Sequence, residues 1–155
     1  MKIAVLYDSK FGNTKQLAEF LADRLGSSGH EVKTFRTTEI KPTDLLAFEP
    51  EAILVGAPTH AWNPARTLGR YIKKMGKLLK EGKSAAIKKA AAFNCNNGTD
   101  VCHKIEKKIA TAFPDIEMYN ESLPLNTGNM KGEYWEENWE EKTNKFITGF
   151  LNFLS

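Results

Sequence analysis

Seven residues near the amino terminus, Asp8-Ser9-Lys10-Phe11-Gly12-Asn13-Thr14, have the types and spacing to hold an anion. They follow a nearly continuous apolar run over residues 2–7 (KIAVLY). They precede a segment in which Leu17, Ala18, Leu21, Ala22 and Leu25 recur at helical spacing. A strand running straight into a helix presents the helix's free N–H groups and the positive end of its dipole at the junction. Ser9 and Thr14 add hydroxyl donors, Lys10 adds charge, and Gly12 permits close approach of the backbone. Phosphate suits this combination. Ser, Asn and Thr also cap helices with no ligand present, so the loop alone leaves both readings open. Two more segments carry chemistry. Gly56-Ala57-Pro58-Thr59-His60-Ala61-Trp62-Asn63-Pro64 holds a large aromatic and a histidine that titrates near neutrality. Asn94-Cys95-Asn96-Asn97-Gly98-Thr99-Asp100 is rich in amides, although Asn-Gly is also a plain turn signal.

The elements that would position these loops alternate strand and helix. Residues 2–7 and 52–55 read as strands buried on both faces, 31–36 as an edge strand and 90–93 as a small-residue strand. Residues 117–119 and 123–125 read as a broken fifth strand. Helical spacing marks 13–26, with Gly26 as the stop. It also marks the stretch from Leu68 to Leu79, the stretch from Val101 to Phe113, and 134–154. Five strands and four helices in this order predict an α/β fold with a parallel sheet and helices on both faces. Ligands of such sheets bind at the carboxyl ends of the strands, where the strand order reverses. That places residues 8–14, 56–64 and 94–100 at one edge. The 155 residues predict one domain, 1–155, with no repeat or linker.

The run Val5-Leu6-Tyr7-Asp8-Ser9-Lys10-Phe11-Gly12-Asn13-Thr14, followed by Ala18 and Leu21, resembles the amino-terminal signature of the flavodoxin family. The resemblance continues in Gly56-Ala57-Pro58-Thr59 and in Ala91-Ala92-Phe93-Asn94-Cys95, and the uninterrupted fifth strand resembles the short-chain type. It implies a flavodoxin-like three-layer sandwich, strand order 2-1-3-4-5, binding one non-covalent FMN. Ser9, Lys10, Phe11, Gly12, Asn13 and Thr14 would hold the phosphate. Pro58, Thr59, His60, Ala61, Trp62 and Asn63 would cover the flavin ring, with Trp62 either stacking on it or packing on the surface helix. Asn94, Cys95, Asn96 and Gly98 would meet the pyrimidine edge. The sequence departs from the family at His60-Ala61, where an aromatic and a Gly are usual. Ala61 would have to enter positive φ at a cost of about 1 kcal/mol, or the turn would shift toward Asn63. The Tyr that commonly covers the outer ring face is also missing from the third loop.

Other chemistries are excluded. No G-x-G-x-x-G follows a strand, and Gly82-Lys83-Ser84 lacks the first glycine of a P-loop because Lys77 stands there. Cys95 and Cys102 have no companions at metal-ligand spacing and are too few for a disulfide framework. A phosphoacceptor Asp, which a receiver domain needs after the third strand, is replaced by Val55-Gly56-Ala57. No apolar run is long enough to span a membrane, and the first apolar run is too short for a signal peptide. The expectation is therefore a cytoplasmic protein.

Net charge is +3, split between +7 over residues 1–92 and −4 over 93–155. The basic excess concentrates from Arg66 to Lys89, including Lys83; the plain reading is a solvated helix face. The acids gather in residues 133–141. Aromatics fall in the acidic part, which argues against nucleic acid. The split charge would steer redox partner proteins or allow a weak homodimer. No acid–base pair or nucleophile stands out. The resemblance thus implies an electron carrier that shuttles low-potential electrons between a reductase and an acceptor. The alternative is an FMN-dependent NAD(P)H:quinone reductase on the same fold. Against an acidic family norm, the positive net charge implies a less negative second reduction potential.

Overall fold

Ile3 to Tyr7 of the first apolar run are all buried, because a parallel sheet covered by helices on each side leaves neither face to water. The computed structural model describes residues 1–82, 87–128 and 134–155; Lys83, Ser84 and Glu133 of the charged and P-loop-like stretches lie outside them. The elements are β1 (Lys2–Tyr7), α1 (Asn13–Ser27), β2 (Glu31–Arg36), α2 (Pro42–Ala47), β3 (Ala52–His60), β4 (Asn63–Pro64), α3 (Arg66–Lys80), β5 (Lys89–Asn96), α4 (Cys102–Ala112), β6 (Glu117–Met118), β7 (Leu123–Asn126) and α5 (Trp139–Leu154).

The sheet runs β2-β1-β3-β5, and β6 and β7 pair with successive halves of the far side of β5. Taking β6 and β7 as the interrupted fifth strand, this is the expected order 2-1-3-4-5, with every pairing parallel except the short β3–β4 hairpin. Alternate strand residues feed two cores. One, with Leu6, Val55 and Ala92, packs under α2, α3 and α4. The other, with Val5, Leu54 and Phe93, packs under α1 and α5. The switch in strand order lies between β1 and β3, where α1 begins. Among the described residues no helix is long and apolar enough to cross a membrane.

The structure departs from the sequence reading at several element ends and in one added helix. The strands expected at 52–55 and 90–93 continue to His60 and Asn96, paired Gly56↔Phe93, Ala57↔Asn94 and Pro58↔Cys95. Their polar ends hold the ladder by backbone bonds, which hydrophobic patterning does not register. Residues 42–47 form the short helix α2, started by Pro42 and buried through Leu45 and Leu46. The last helix begins at Trp139 rather than at 134, because Glu136 N–H is drawn to Asn126 O (2.9 Å) at the end of β7.

Gly56 is required by packing. A Cβ there would lie 2.1 Å from the ring of Phe93, its register partner on β5. Phe93 is fully buried, so its ring has nowhere to go. Gly56→Ala is expected to destabilise the fold by about 2 kcal/mol, a fall of about 6 °C in melting temperature. Adding Phe93→Leu should recover part of that loss, read by thermal unfolding of the single and double variants.

Candidate functional site

The loop from β1 to α1 is built around Gly12, whose φ of +97° places it in the left-handed region at the helix N-cap. The turn folds back so that Ser9 Oγ accepts from the N–H of Gly12 (3.1 Å) and of Lys15 (3.4 Å). The Ser9 O–H remains free to donate. The N–H groups of Lys10, Phe11 and Thr14 have no acceptor among the described residues, as a helix N-terminus requires. Lys10 Nζ sits 5.2 Å from the centre of the half-exposed Phe11 ring, its charge held at the loop surface.

Arg36, at the carboxyl end of β2, reaches across and donates from Nη2 to Ser9 O (3.0 Å). It clamps the loop, while its Nη1 pairs with Glu39 Oε1 (3.5 Å). Asn13 donates to Thr127 O (3.4 Å) and accepts from Trp135 Nε1 (3.3 Å), tying the start of α1 to the chain after β7. Thr127 Oγ1 is enclosed beside the Cys95 thiol and has no other hydrogen-bond partner among the described residues. Asp8 is buried, and its Oδ2 has no hydrogen-bond partner among the described residues. Burial holds its carboxyl above the usual range, against the opposing pull of His60 and Arg36.

The second segment forms a tight hairpin. Thr59 faces Pro64 and His60 faces Asn63, leaving Ala61 and Trp62 as a two-residue turn with φ of +48° and +64°. Both positive values make it the mirror-image turn that hairpins favour, normally built from Asn and Gly. Of the two alternatives open in the sequence, the positive φ falls on Ala61 and the shift toward Asn63 does not occur. Asn63 instead supports the turn, its Nδ2 donating to Ala61 O (3.2 Å). Lys104 from α4 donates to Trp62 O (2.7 Å) and to Asn63 Oδ1 (3.1 Å). Trp62 is 71% exposed, so its ring is open to solvent beside the site.

The third segment divides its residues between two jobs. Asn94 is fully buried; its Nδ2 donates to Ala57 O (2.8 Å) and Thr59 Oγ1 (3.1 Å), and its Oδ1 accepts from Asn96 Nδ2 (3.0 Å). Thr59 Oγ1 then donates to Thr99 O (2.7 Å). Cys95 turns to the opposite face of β5, into the core beneath α1, where burial pushes its thiol up to about 11 despite the nearby Thr14 hydroxyl. Neither side chain is offered at the loop surface. Asn96 Oδ1 accepts from Gly98 N–H (2.9 Å), and Gly98, at φ +105°, stands in open space.

Segments 8–14, 56–64 and 94–100 therefore share one edge of the sheet, as the sequence predicts. Arg36, Thr127, Trp135 and Lys104 join them without having been anticipated. Arg36 was accessible to a topological argument, since a cation ending the strand beside β1 must lie next to the first loop. The others depend on long-range packing.

Two consequences can be measured. Ala61→Gly removes a left-handed cost of about 1–2 kcal/mol and adds about 0.5–1 kcal/mol of chain entropy. It should raise stability by about 0.5–1 kcal/mol in denaturant unfolding. The folded protein binds the Asp8 proton more tightly than the unfolded chain does. Stability must therefore fall as pH rises from the ordinary carboxylate value of 3.8 through the raised one. Asp8→Asn should remove that slope and be more stable than the parent at neutral pH, with the gap closing below the ordinary value, as followed by melting temperature against pH.

A family model described as a flavodoxin domain matches residues 4–147. A flavodoxin of Clostridium saccharobutylicum is 33% identical over 102 residues, covering 65% of this chain and 62% of that protein. An NAD(P)H dehydrogenase (quinone) of Chromohalobacter salexigens is 29% identical over 102 residues, covering 53% of this chain and 51% of that one. The chain thus spans less than two thirds of the length of either relative. The solved structure of a Streptococcus pneumoniae TIGR4 flavodoxin has the same fold, with a TM-score of 0.73 at 16% identity, over 98% of this chain and 99% of that one. The family match runs from β1 into α5 and so takes in every strand and all three loops at their carboxyl edge: the chain belongs to the flavodoxin family.

Proposed function

We propose that residues 1–155 form one domain that holds a single FMN without a covalent bond and carries electrons between redox partner proteins. The observation that carries this reading is the unpaired donor set at the start of α1, with Arg36 and Lys10 beside it. The free N–H groups of Lys10, Phe11 and Thr14 and the Ser9 hydroxyl fit a doubly charged phosphate. A phosphate would complete donors that the fold leaves open, and Gly12 would spare it a side-chain clash. Bound FMN supplies one-electron chemistry at its ring.

The chain's own residues bind and orient. Ser9, Lys10, Phe11, Gly12, Asn13 and Thr14 hold the phosphate end. The hairpin of Pro58, Thr59, His60, Ala61, Trp62 and Asn63 covers the ring, with Trp62 free to stack. The backbone of Asn94, Cys95, Asn96 and Gly98 meets the polar ring edge, while the Asn94 side chain sets the loop in place. His60 lies near enough to Asp8 to act on that carboxyl electrostatically. Free buried cysteines and the lack of a spanning helix among the described residues fit a cytoplasmic setting.

A second reading, an FMN-dependent quinone reductase, is favoured by the resemblance to the quinone dehydrogenase and by the exposed Trp62. The experiment loads the purified protein with FMN and follows retained flavin absorbance, then adds NADH or NADPH with a quinone. The carrier reading expects stoichiometric flavin and no turnover without an added reductase. Steady turnover would move the protein to the second reading, and no retained flavin would sink both. Arg36→Ala removes a charge-assisted clamp of about 1.5 kcal/mol and should weaken FMN about tenfold. Riboflavin, which lacks the phosphate, should bind equally to both forms in a fluorescence-quenching titration.

A further inference from the structure

A groove of about 1080 Å³ runs between α3 and α4 on the side of the molecule next to the hairpin. It starts at Asn63 and Pro64, passes Lys104, and extends along both helices to Lys80 and Ala112. Gly76 permits its depth, because a Cβ there would lie 2.8 Å from Ala112 O, so the two helices meet closely at that point. Eight of its fifteen lining residues are Lys or Arg, and none of the fifteen is acidic. Arg70, Lys73, Lys77 and Lys80 come from α3, Lys107 and Lys108 from α4. Among the described residues none of the eight is in an ion pair. Lys104 alone is committed, to the Trp62 turn. Like charges this crowded repel one another, so an anionic occupant of the groove would be stabilised.

We infer that this groove docks an acidic protein, whose row of carboxylates lies between α3 and α4 and whose far end meets the Trp62 hairpin. Three observations select that occupant. Seven of the eight cations are Lys, a mobile point charge, rather than the planar Arg fork of a dedicated phosphate pocket. No aromatic lines the groove, so a nucleic acid would find no stacking platform. A second copy is disfavoured because the net charge is positive and the acids at and just before the start of α5 are partly spent, Glu136 on Lys142 (2.7 Å) and Glu140 on Arg24 (3.8 Å). The α3 wall, fifteen residues long, spans about 22 Å, the length of an acidic helix or surface ridge. The inference rests on the redox reading only for what the partner exchanges; the docking itself is a matter of charge.

The test uses the FMN-loaded protein, with flavin absorbance recorded first so that a failure to hold FMN is seen separately. The probe is a synthetic helical peptide of about 18 residues with Glu on one face, and its control carries Gln in the same places. Amide shifts should map the Glu peptide to α3 and α4, with affinity falling at least about tenfold between about 50 mM and about 0.5 M salt. Lys73→Glu, Lys77→Glu and Lys107→Glu together should abolish binding. The Gln versions, which add no repulsion, should fall between. Reversal of the exposed Lys33, Lys41 and Lys145 to Glu should leave most of the affinity. Unchanged affinity in the groove variants, or equal binding of the Gln peptide, would overturn the inference. Displacement of the peptide by equimolar tripolyphosphate would reassign the groove to a small polyanion, and displacement by an oligonucleotide to nucleic acid. A dimer in sedimentation that the same reversal dissolves would reassign it to a second copy.

Discussion

The site depends on one buried amide. Asn94 sits at the carboxyl end of β5 with no exposure to water, and it holds the carbonyl of Ala57 and the hydroxyl of Thr59 from β3. Its oxygen gathers Asn96 and, more loosely, the Val101 N–H (3.4 Å) at the start of α4. Thr59 passes the connection on to Thr99. A donor and acceptor buried this way must be paired, and pairing them fixes the relative position of two loops and one helix. The hairpin and the amide loop are therefore rigid parts of the sheet edge.

The hairpin is held from the opposite side by Lys104, which ties the Trp62 carbonyl to α4. Two non-glycine residues at positive φ would otherwise favour relaxation. Strain persists only where the surroundings over-determine it, and here Lys104 and Asn63 supply that determination. Thus α4, which contributes no residue to the proposed phosphate loop, governs the part of the site that carries the aromatic. It also forms one wall of the basic groove, so an occupant neutralising Lys107 and Lys108 would lie close to the residue that holds the hairpin.

Much of this was legible before any coordinates. Continuous apolar runs at residues 2–7 and 52–55 mark strands covered on both faces, and the Ser9–Thr14 segment marks a strand-to-helix junction. What could not be read were features without a hydrophobic period. The polar ends of β3 and β5 continue the ladder through backbone bonds, so patterning ended them early. The short α2 has too few residues to show a repeat. Tyr134 to Asn138 carry a helical-looking pattern, yet the backbone of Glu136 bonds Asn126 instead. The pairing with β7 was open to that segment because it lies beside the strand end in space.

Residue type and local spacing determined the alternation of strand and helix, the loop chemistry and the family likeness, because these follow from burial period and from donors within a few residues of one another. Tertiary structure alone decided how distant residues combine. It brought Arg36 to Ser9, Thr127 and Trp135 to Asn13, and Lys104 to Trp62. It turned Asn94 and Cys95 inward, and it set the lysines of α4 beside those of α3. A charge has the same sign wherever it sits in the chain, but its energy depends on its distance from other charges, and only the packing of α3 against α4 set that distance.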